Sequence, residues 1–315
     1  MTMTAPVPVY SEADVRAVLG LRAVIDAVES ALAAQAAGAA RILPKTMATW
    51  APASSAHALG AVDLQASLVA FKTWVNTPDG AAATVTAHDA RDGSLAAVVS
   101  AGALGALRTA ALSAVATQWL APPQADELAL LGTGRQAEGQ VQAVHAVRPL
   151  RRARVWGRDP QRREAVARRL EETLRIEVFP VPTVRDAVNG APIVTLVTRA
   201  SEPILSGDEL AAGAHLNAVG AILPANAEFE PRLLASARLT VVDDLENARR
   251  SSRELREHYG EDWSSVRSLA EVVTGAVKVP AGAGPTVYKG LGTGLADLAA
   301  VTAFLRAVQP GRWEI

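Results

Sequence analysis

A lysine inside an apolar strand pattern is the first residue of this sequence whose type and place could do chemistry. Lys72 lies within 68–75, Leu-Val-Ala-Phe-Lys-Thr-Trp-Val, where a charge needs a partner or a function. Its type is informative because only four of the 31 basic residues are lysines. An ammonium group can bind a carboxylate and, when burial lowers its pKa, transfer a proton near neutral pH. A lysine that leans inward on an edge strand is equally consistent with this pattern.

A glycine-rich turn at 132–137 could bind the pyrophosphate of a dinucleotide. The run Leu-Ala-Leu-Leu at 128–131 predicts a strand, and Gly-Thr-Gly-Arg-Gln-Ala follows it and leads into helical spacing. Gly132 permits the tight turn, Gly134 lets the phosphates approach the backbone, and Ala137 allows close helix packing. Because another predicted strand follows the helix, this context favours dinucleotide binding over a glycine turn that binds nothing.

The residues after that next strand bear on which dinucleotide binds. The segment Trp-Gly-Arg-Asp at 156–159 has Arg158 where an NAD site commonly has a carboxylate, and an arginine there can neutralise the 2′-phosphate of NADP. With Arg162 and Arg163 behind it, we favour NADPH. Asp159 keeps NADH open, because a shift of one residue would bring its carboxylate to the ribose.

Two domains are predicted from the elements that must position these residues. Helical spacing near the N-terminus gives way to hairpin-like strands over 42–99 and then to a small-residue helix. After a break at Pro122, short apolar strands alternate with helices, which predicts a parallel sheet covered on both faces. We therefore predict an α/β protein with a substrate-binding and dimerisation domain of α+β type at 1–120, completed by a C-terminal helix at 291–315, and a Rossmann-type doubly wound domain at 121–290.

Composition excludes several functional classes. The 315 residues are 50% hydrophobic with a net charge of −1, which excludes disorder as the main state and gives no sign of a nucleic-acid partner. The chain has no cysteine, and its five histidines lack ligand spacing, so we expect no metal. We find no signal peptide and no apolar run of about 20 residues, so we expect a soluble, cytoplasmic protein without a membrane partner.

Several ordered motifs resemble those of the ornithine cyclodeaminase and mu-crystallin family of NAD(P)-dependent enzymes. The similar segments are 71–76 (Phe-Lys-Thr-Trp-Val-Asn), 107–111, 132–137, 201–205, 213–221, 241–244 and 288–292 (Tyr-Lys-Gly-Leu-Gly). Their order is the family's order, which makes the resemblance more specific than a lone glycine motif. It implies a homodimer whose first domain builds much of the substrate pocket and whose second domain binds the cofactor.

The resemblance also implies roles for individual residues. Lys45, Lys72 and Arg108 match the cations that bind the substrate carboxylate. We assign Lys72 as the catalytic residue that, directly or through water, supplies or retains the imine proton. Leu291 resembles a residue of the substrate wall, and Asp297 matches an acidic position of the last helix that we interpret as structural. Together with Gly132, Gly134 and Arg158 from the motifs above, the expected cofactor contacts are Thr84, Arg108, Thr109, Arg135, Gln136, Thr198, Asn217, Ala218 and Val219.

One departure from the family pattern concerns the reaction. Ornithine cyclodeaminases have an aspartate where this chain has Ile222, and an isoleucine can neither bind an ammonium nor transfer a proton. We interpret this position as a pocket wall for the substrate. The segment 241–248 with Asp262 and Trp263 looks most like the ketimine reductases, which reduce Δ1-pyrroline-2-carboxylate to L-proline and Δ1-piperideine-2-carboxylate to L-pipecolate.

We therefore expect NAD(P)H-dependent reduction of the C=N bond of a cyclic α-imino acid. Reduction of an acyclic imino acid such as iminosuccinate and cyclodeamination of ornithine stay open as related activities. An alternative of another class is a mu-crystallin-like protein that binds NADP without turnover. Retention of all three carboxylate-binding cations argues against that last alternative, because a purely structural protein does not need them.

Overall fold

In the computed structural model, which describes residues 6–51 and 54–313, the chain divides within one long helix into two units. Unit 1 comprises Met1–Thr109 and Thr293–Ile315, and unit 2 comprises Ala110–Gly292. The strands, in chain order, are β1 (Val9–Tyr10), β2 (Ala40–Ala51), β3 (Ser54–Asp63), β4 (Leu68–Thr77), β5 (Gly80–Asp89), β6 (Leu95–Ser100), β7 (Glu127–Leu131), β8 (Arg152–Trp156), β9 (Glu177–Pro180), β10 (Ile193–Leu196), β11 (His215–Ala218), β12 (Leu239–Val242), β13 (Val266–Ser268) and β14 (Thr286–Lys289). The α-helices are α1 (Glu12–Val18), α2 (Leu21–Ala36), α3 (Gly102–Leu120), α4 (Ala137–Val147), α5 (Pro160–Leu174), α6 (Val184–Val188), α7 (Leu245–Ser251), α8 (Arg253–Tyr259), α9 (Leu269–Val273) and α10 (Gly294–Val308).

Unit 1 is built on a six-stranded sheet with the order β1-β6-β5-β4-β3-β2. The pairs from β2 to β6 are antiparallel, as the hairpin signals predict, and the short β1 pairs with β6 in parallel. Side chains alternate between the two faces of a strand, so Leu68, Ala70 and Lys72 of β4 share the buried face, against which α10 packs. Phe71 and Val75 lie on the opposite face and are exposed.

Unit 2 is built on an eight-stranded parallel sheet with the order β13-β12-β14-β11-β10-β7-β8-β9. Leu128 and Leu130 of β7 enter one buried apolar cluster, while Ala129 and Leu131 enter another. Both faces of the sheet are therefore covered, which confirms the doubly wound arrangement. The sheet winds in opposite directions from β7, since β8 lies on one side of it and β10 on the other, and in such sheets ligands bind beyond the carboxyl ends of the strands at that point.

The last two strands of unit 2 are short. β13 has three residues, and β14 has four and lies between β11 and β12 although it comes last in the chain. The β-branched and aromatic run Thr286-Val-Tyr is the local signal that could have indicated β14. In the described residues, no helix has the length and apolarity to span a bilayer, and no group of three side chains could hold a metal ion.

Candidate active site

Lys72 and Arg108 meet at one buried carboxylate in unit 1. Lys72 Nζ lies 3.2 Å and Arg108 Nε lies 3.0 Å from the same oxygen, Asp297 Oδ1. The two cationic side chains are 10% and 12% exposed, and the aspartate is 2% exposed. Its other oxygen, Oδ2, is buried and has no hydrogen-bond partner among the described residues. The structure thus places Asp297, interpreted from the sequence as structural, inside the cation cluster.

Close backbone approaches set this geometry. A Cβ added to Gly294, the first residue of α10, would lie 2.2 Å from a carbonyl oxygen of β3, so the helix begins in direct contact with the sheet. Asp297 follows in the first turn of that helix. A Cβ added to Gly105 of α3 would lie 3.3 Å from Lys72 Nζ, and Arg108 lies about one turn further along. Both helices therefore deliver a charged side chain to the neighbourhood of Lys72, in the middle of β4.

Trp74 is a shared neighbour of the two lysines. The Nζ atoms of Lys45 and Lys72 each lie 5.4 Å from the centroid of its ring, within the range of a cation–π attraction. The imidazole of His57 stacks on the same indole, with 4.4 Å between the ring centroids and 5° between the planes. Lys45 lies where the register of β2 shifts between residues 43 and 46. The structure therefore gathers all three predicted carboxylate-binding cations in one cluster.

Burial and the neighbouring charges oppose each other at Lys72. Burial lowers the pKa of the Lys72 ammonium, and the charges of Arg108 and Lys45 lower it further, whereas Asp297 raises it through its charge and its hydrogen bond. Burial also lowers the pKa of His57, and Lys45 acts in the same direction. Three cations and one carboxylate leave this cluster positively charged when the lysines are protonated, which suits an anionic ligand such as a carboxylate.

In unit 2 the glycine turn has the geometry of a phosphate site. Gly132 has φ +126°, and a Cβ there would lie 2.7 Å from the carbonyl oxygen of Val197, in the loop after β10. A Cβ on Gly134 would meet no described atom within 4 Å, so the backbone is open at that point. Helix α4 then begins at Ala137 without a side-chain cap from the described residues. The Ala137 N–H donates to the carbonyl oxygen of Gly134 at 3.0 Å, and the N–H groups of Glu138 and Gly139 are left able to donate to phosphate. These residues fit the pyrophosphate of a dinucleotide.

One buried carboxylate accepts hydrogen bonds from both the loop after β10 and the loop after β11. Glu228 Oε1 accepts hydrogen bonds from the backbone N–H and the hydroxyl of Thr198, at 2.6 and 2.8 Å, after β10. Glu228 Oε2 accepts from the N–H groups of Gly220 and Ala221, at 2.8 and 3.0 Å, after β11. This fully buried glutamate is not among the residues predicted from the sequence, because nothing in a local pattern shows which distant backbone groups a loop carboxylate will meet.

The two charged residues after β8 have different surroundings. Asp159 caps α5, since its Oδ1 accepts from the N–H groups of Gln161 and Arg162 at 2.9 and 3.2 Å. Its other oxygen lies 3.5 Å from Arg162 Nε. Arg158 is exposed and has no ion-pair partner within the described ranges. The carboxylate that kept NADH open is therefore engaged at a helix terminus, while the arginine expected to favour NADPH is free to bind an anion.

The structure places the other predicted residues in varied surroundings. Thr84 Oγ1 lies 3.2 Å from Thr73 Oγ1, on the sheet face opposite to Lys72, and the Thr109 hydroxyl donates to a carbonyl oxygen of its own helix at 2.9 Å. The amide of Asn217 donates to Thr117 Oγ1 at 2.9 Å in the interior of unit 2. Of the rest, Ala218, Val219 and Leu291 are buried, and Arg135, Gln136 and Ile222 are exposed.

The chain is similar to known proteins over most of its length. Residues 8–309 match the ornithine cyclodeaminase/mu-crystallin family, as the ordered motifs predict. The chain is 36% identical over 218 residues to the ketimine reductase mu-crystallin of Rattus norvegicus, covering 69% of this chain and 67% of that protein. It is 30% identical over 239 residues to a Δ1-pyrroline-2-carboxylate reductase of Bacillus cereus, covering 73% and 72%. The structure of Thermococcus litoralis Δ1-pyrroline-2-carboxylate reductase, solved with NADH and L-proline, has the same fold, with a TM-score of 0.90, 24% identity, and coverage of 96% of this chain and 98% of that one.

Proposed function

The chain belongs to the ornithine cyclodeaminase/mu-crystallin family, and on that premise we propose that it reduces the C=N bond of cyclic α-imino acids with NAD(P)H. Relatives named as ketimine reductase and Δ1-pyrroline-2-carboxylate reductase support an imine reductase. The proposed substrates are Δ1-pyrroline-2-carboxylate and Δ1-piperideine-2-carboxylate, which would give L-proline and L-pipecolate. The single observation that carries the proposal is the convergence of Lys45, Lys72 and Arg108 in unit 1.

The cation cluster is the proposed site for the substrate carboxylate. Arg108 uses Nε to bind Asp297, and within the described chain its two Nη groups have no hydrogen-bond partner, so they can bind a carboxylate. The ammonium groups of Lys45 and Lys72, which both contact the Trp74 ring, add positive charge to the cluster. Fixing the carboxylate also fixes the adjacent C=N bond of a planar imino acid, because the two groups share one conjugated frame.

Lys72 is the proposed proton donor in this reaction. Lys72 Nζ donates a proton to the imine nitrogen, which makes the imine carbon electrophilic. A bound NAD(P)H would supply the hydride for the new C–H bond at that carbon, and the electron pair of the C=N π bond becomes the lone pair of the amine nitrogen. Because burial and two neighbouring cations lower the pKa of this ammonium, it donates more readily than an exposed lysine. Lys72 regains its proton from water after the product leaves.

The proposed cofactor is NADPH, held by unit 2. Gly132, Gly134 and the N–H groups of Glu138 and Gly139 in the first turn of α4 would bind the pyrophosphate. Arg158 would bind the 2′-phosphate, which NADH lacks. The engagement of Asp159 as the cap of α5 supports this preference, because a carboxylate that accepts two backbone N–H groups is less available to a ribose.

A homodimer is proposed from the uncovered face of the unit 1 sheet. Phe71 and Val75 are 38% and 45% exposed there, beside the small or β-branched Thr73, Ala82 and Thr84. An exposed apolar sheet face of this kind marks an association surface, and a second copy offers the same chemistry. Sedimentation equilibrium should give twice the chain mass of 32.8 kDa, and a monomer at micromolar concentration would contradict this.

The reaction is tested by steady-state oxidation of NADPH and NADH with each cyclic imine and with iminosuccinate, and ammonia release from ornithine is measured as a control. We expect saturable turnover of the cyclic imines. Lys72→Met should lower kcat by about 100-fold or more, the usual contribution of a general acid. Lys72→Arg is the matched variant, since it keeps the positive charge but cannot release a proton.

Three results would redirect the assignment. Near-native turnover of the methionine variant with an unaltered pH profile would remove Lys72 from the proton step. Reduction of iminosuccinate alone would favour a diacid substrate, consistent with more cationic charge than one carboxylate needs. Ammonia release from ornithine without imine reduction would show that a group other than residue 222 performs the aspartate's task.

A further inference from the structure

We propose that Asp297 is a positioning residue that holds Lys72 and Arg108 in fixed orientation and keeps Lys72 protonated until it donates its proton to the imine nitrogen. The proposal rests on the proposed function and deepens its site. Asp297 is buried, so it acts on a substrate through the two cations it binds. In the part of the chain that the structure describes, it is the sole ion-pair partner of both.

One carboxylate oxygen of Asp297 accepts hydrogen bonds from side chains of two other elements. Lys72 comes from β4, Arg108 from α3 and Asp297 from α10, and both cations use the same oxygen, Oδ1. A lysine side chain has a flexible four-carbon stem, so a fixed acceptor at 3.2 Å restricts where its ammonium lies. The shared oxygen also offsets the repulsion between two adjacent positive charges. Loss of Asp297 should therefore loosen both cations together.

The charged groups around Lys72 act on the pKa of its ammonium in opposite directions. Arg108 from α3 and Lys45 from β2 both disfavour its protonated form, and the His57 ring from β3 stacks on the indole that Lys72 contacts. Asp297 is the acid that opposes them. A carboxylate at this distance typically moves the pKa of a partner by about 1 to 3 units. Removing its charge should make Lys72 bind its proton at least about tenfold more weakly.

The decisive experiment measures protonation of Lys72 directly, without turnover. Because the chain has only four lysines, protein carrying [ε-13C]lysine should give four resolvable signals, which Lys→Arg variants assign. Each signal is titrated in the unaltered protein, in Asp297→Asn and in Asp297→Ser, with Asp89→Asn as the matched control. Asp89 is another buried aspartate of unit 1, paired with Arg91 at 2.7 Å, and it lies four residues along the sheet from the level of Lys72, about 13 Å away.

The expected result is a fall of at least about one pH unit in the Lys72 titration midpoint in both Asp297 variants and none in Asp89→Asn. An unchanged midpoint in either folded Asp297 variant would overturn the proposal. The serine variant covers the case in which asparagine prevents folding. Serine is smaller, and it places no polar group where the unpartnered Oδ2 of Asp297 lies.

A kinetic arm separates this proposal from the proposed function. With a cyclic imine as substrate, Asp297→Asn should shift the alkaline limb of kcat/KM to lower pH by the same amount as the NMR midpoint, whereas Asp89→Asn should leave the limb in place. If the unaltered protein does not reduce cyclic imines, the proposed function fails while the NMR titration still decides the role of Asp297. An NMR shift without a matching shift of the limb would show that Lys72 protonation does not control turnover, and would overturn the catalytic half of the proposal.

Discussion

Replacing Glu228 with glutamine should release two loops of the cofactor site in unit 2. The carboxylate accepts four hydrogen bonds, two from Thr198 and one each from Gly220 and Ala221. A glutamine keeps one oxygen but presents an NH2 group to donors at the other position, so two bonds are lost. At about 1.5 to 3 kcal/mol for each bond to a charged group, the loss is about 3 to 6 kcal/mol with the loops held in place. Because loops relax, we expect the unfolding free energy to fall by about 3 kcal/mol, the lower end of that range.

The assay combines urea denaturation with NADPH titration. Glu228→Gln should unfold at lower urea and, since Thr198 is an expected cofactor contact, bind NADPH at least about tenfold more weakly. Glu209→Gln is the control, because Glu209 is also a loop carboxylate of unit 2 that accepts one backbone N–H, at 2.7 Å. The control should cost under about 1.5 kcal/mol and leave cofactor affinity unchanged. Wild-type stability and affinity in Glu228→Gln would refute the idea that this carboxylate fastens the loops.

Two further predictions concern the cofactor preference and the pH dependence of stability. Arg158→Ala should weaken NADPH binding by about 10- to 100-fold, because one or two hydrogen bonds to a charged phosphate are lost. NADH binding should change little. Equal losses of affinity for both cofactors would contradict a contact between Arg158 and the 2′-phosphate. Burial lowers the pKa of His215 to about 4, while the unfolded residue titrates near 6.5, so from pH 6.5 down to 4 the unfolded chain binds a proton that the native state excludes. The contribution of His215 to the unfolding free energy is therefore fully present above pH 6.5 and is lost as the pH falls toward 4. His215→Gln should show a smaller drop in urea midpoint between pH 7 and pH 5 than the unaltered protein. An equal drop in both proteins would assign the pH dependence to other groups.

Local patterns in the sequence determined the framework of the protein. The alternation of strands and helices in unit 2, the glycine turn and the hairpins of unit 1 follow from side-chain periodicity and backbone preferences that act over a few residues. Lys72 was recognisable because a charge in an apolar strand is costly unless it has a partner. The cap role of Asp159 was also within reach, since an aspartate directly before Pro160 is a common start of a helix.

Tertiary packing alone decided which groups complete the site. Asp297 lies 225 residues from Lys72 in the chain and meets it because α10 begins against β3 at a glycine that leaves no room for a side chain. Glu228 reaches two loops because β10 and β11 are neighbours in the sheet, and β14 enters between β11 and β12. Such partners are set by the free energy of packing whole elements and satisfying buried charges, and no short segment contains that information. The sequence therefore determined which residues carry the charges, and the fold determined which charges meet.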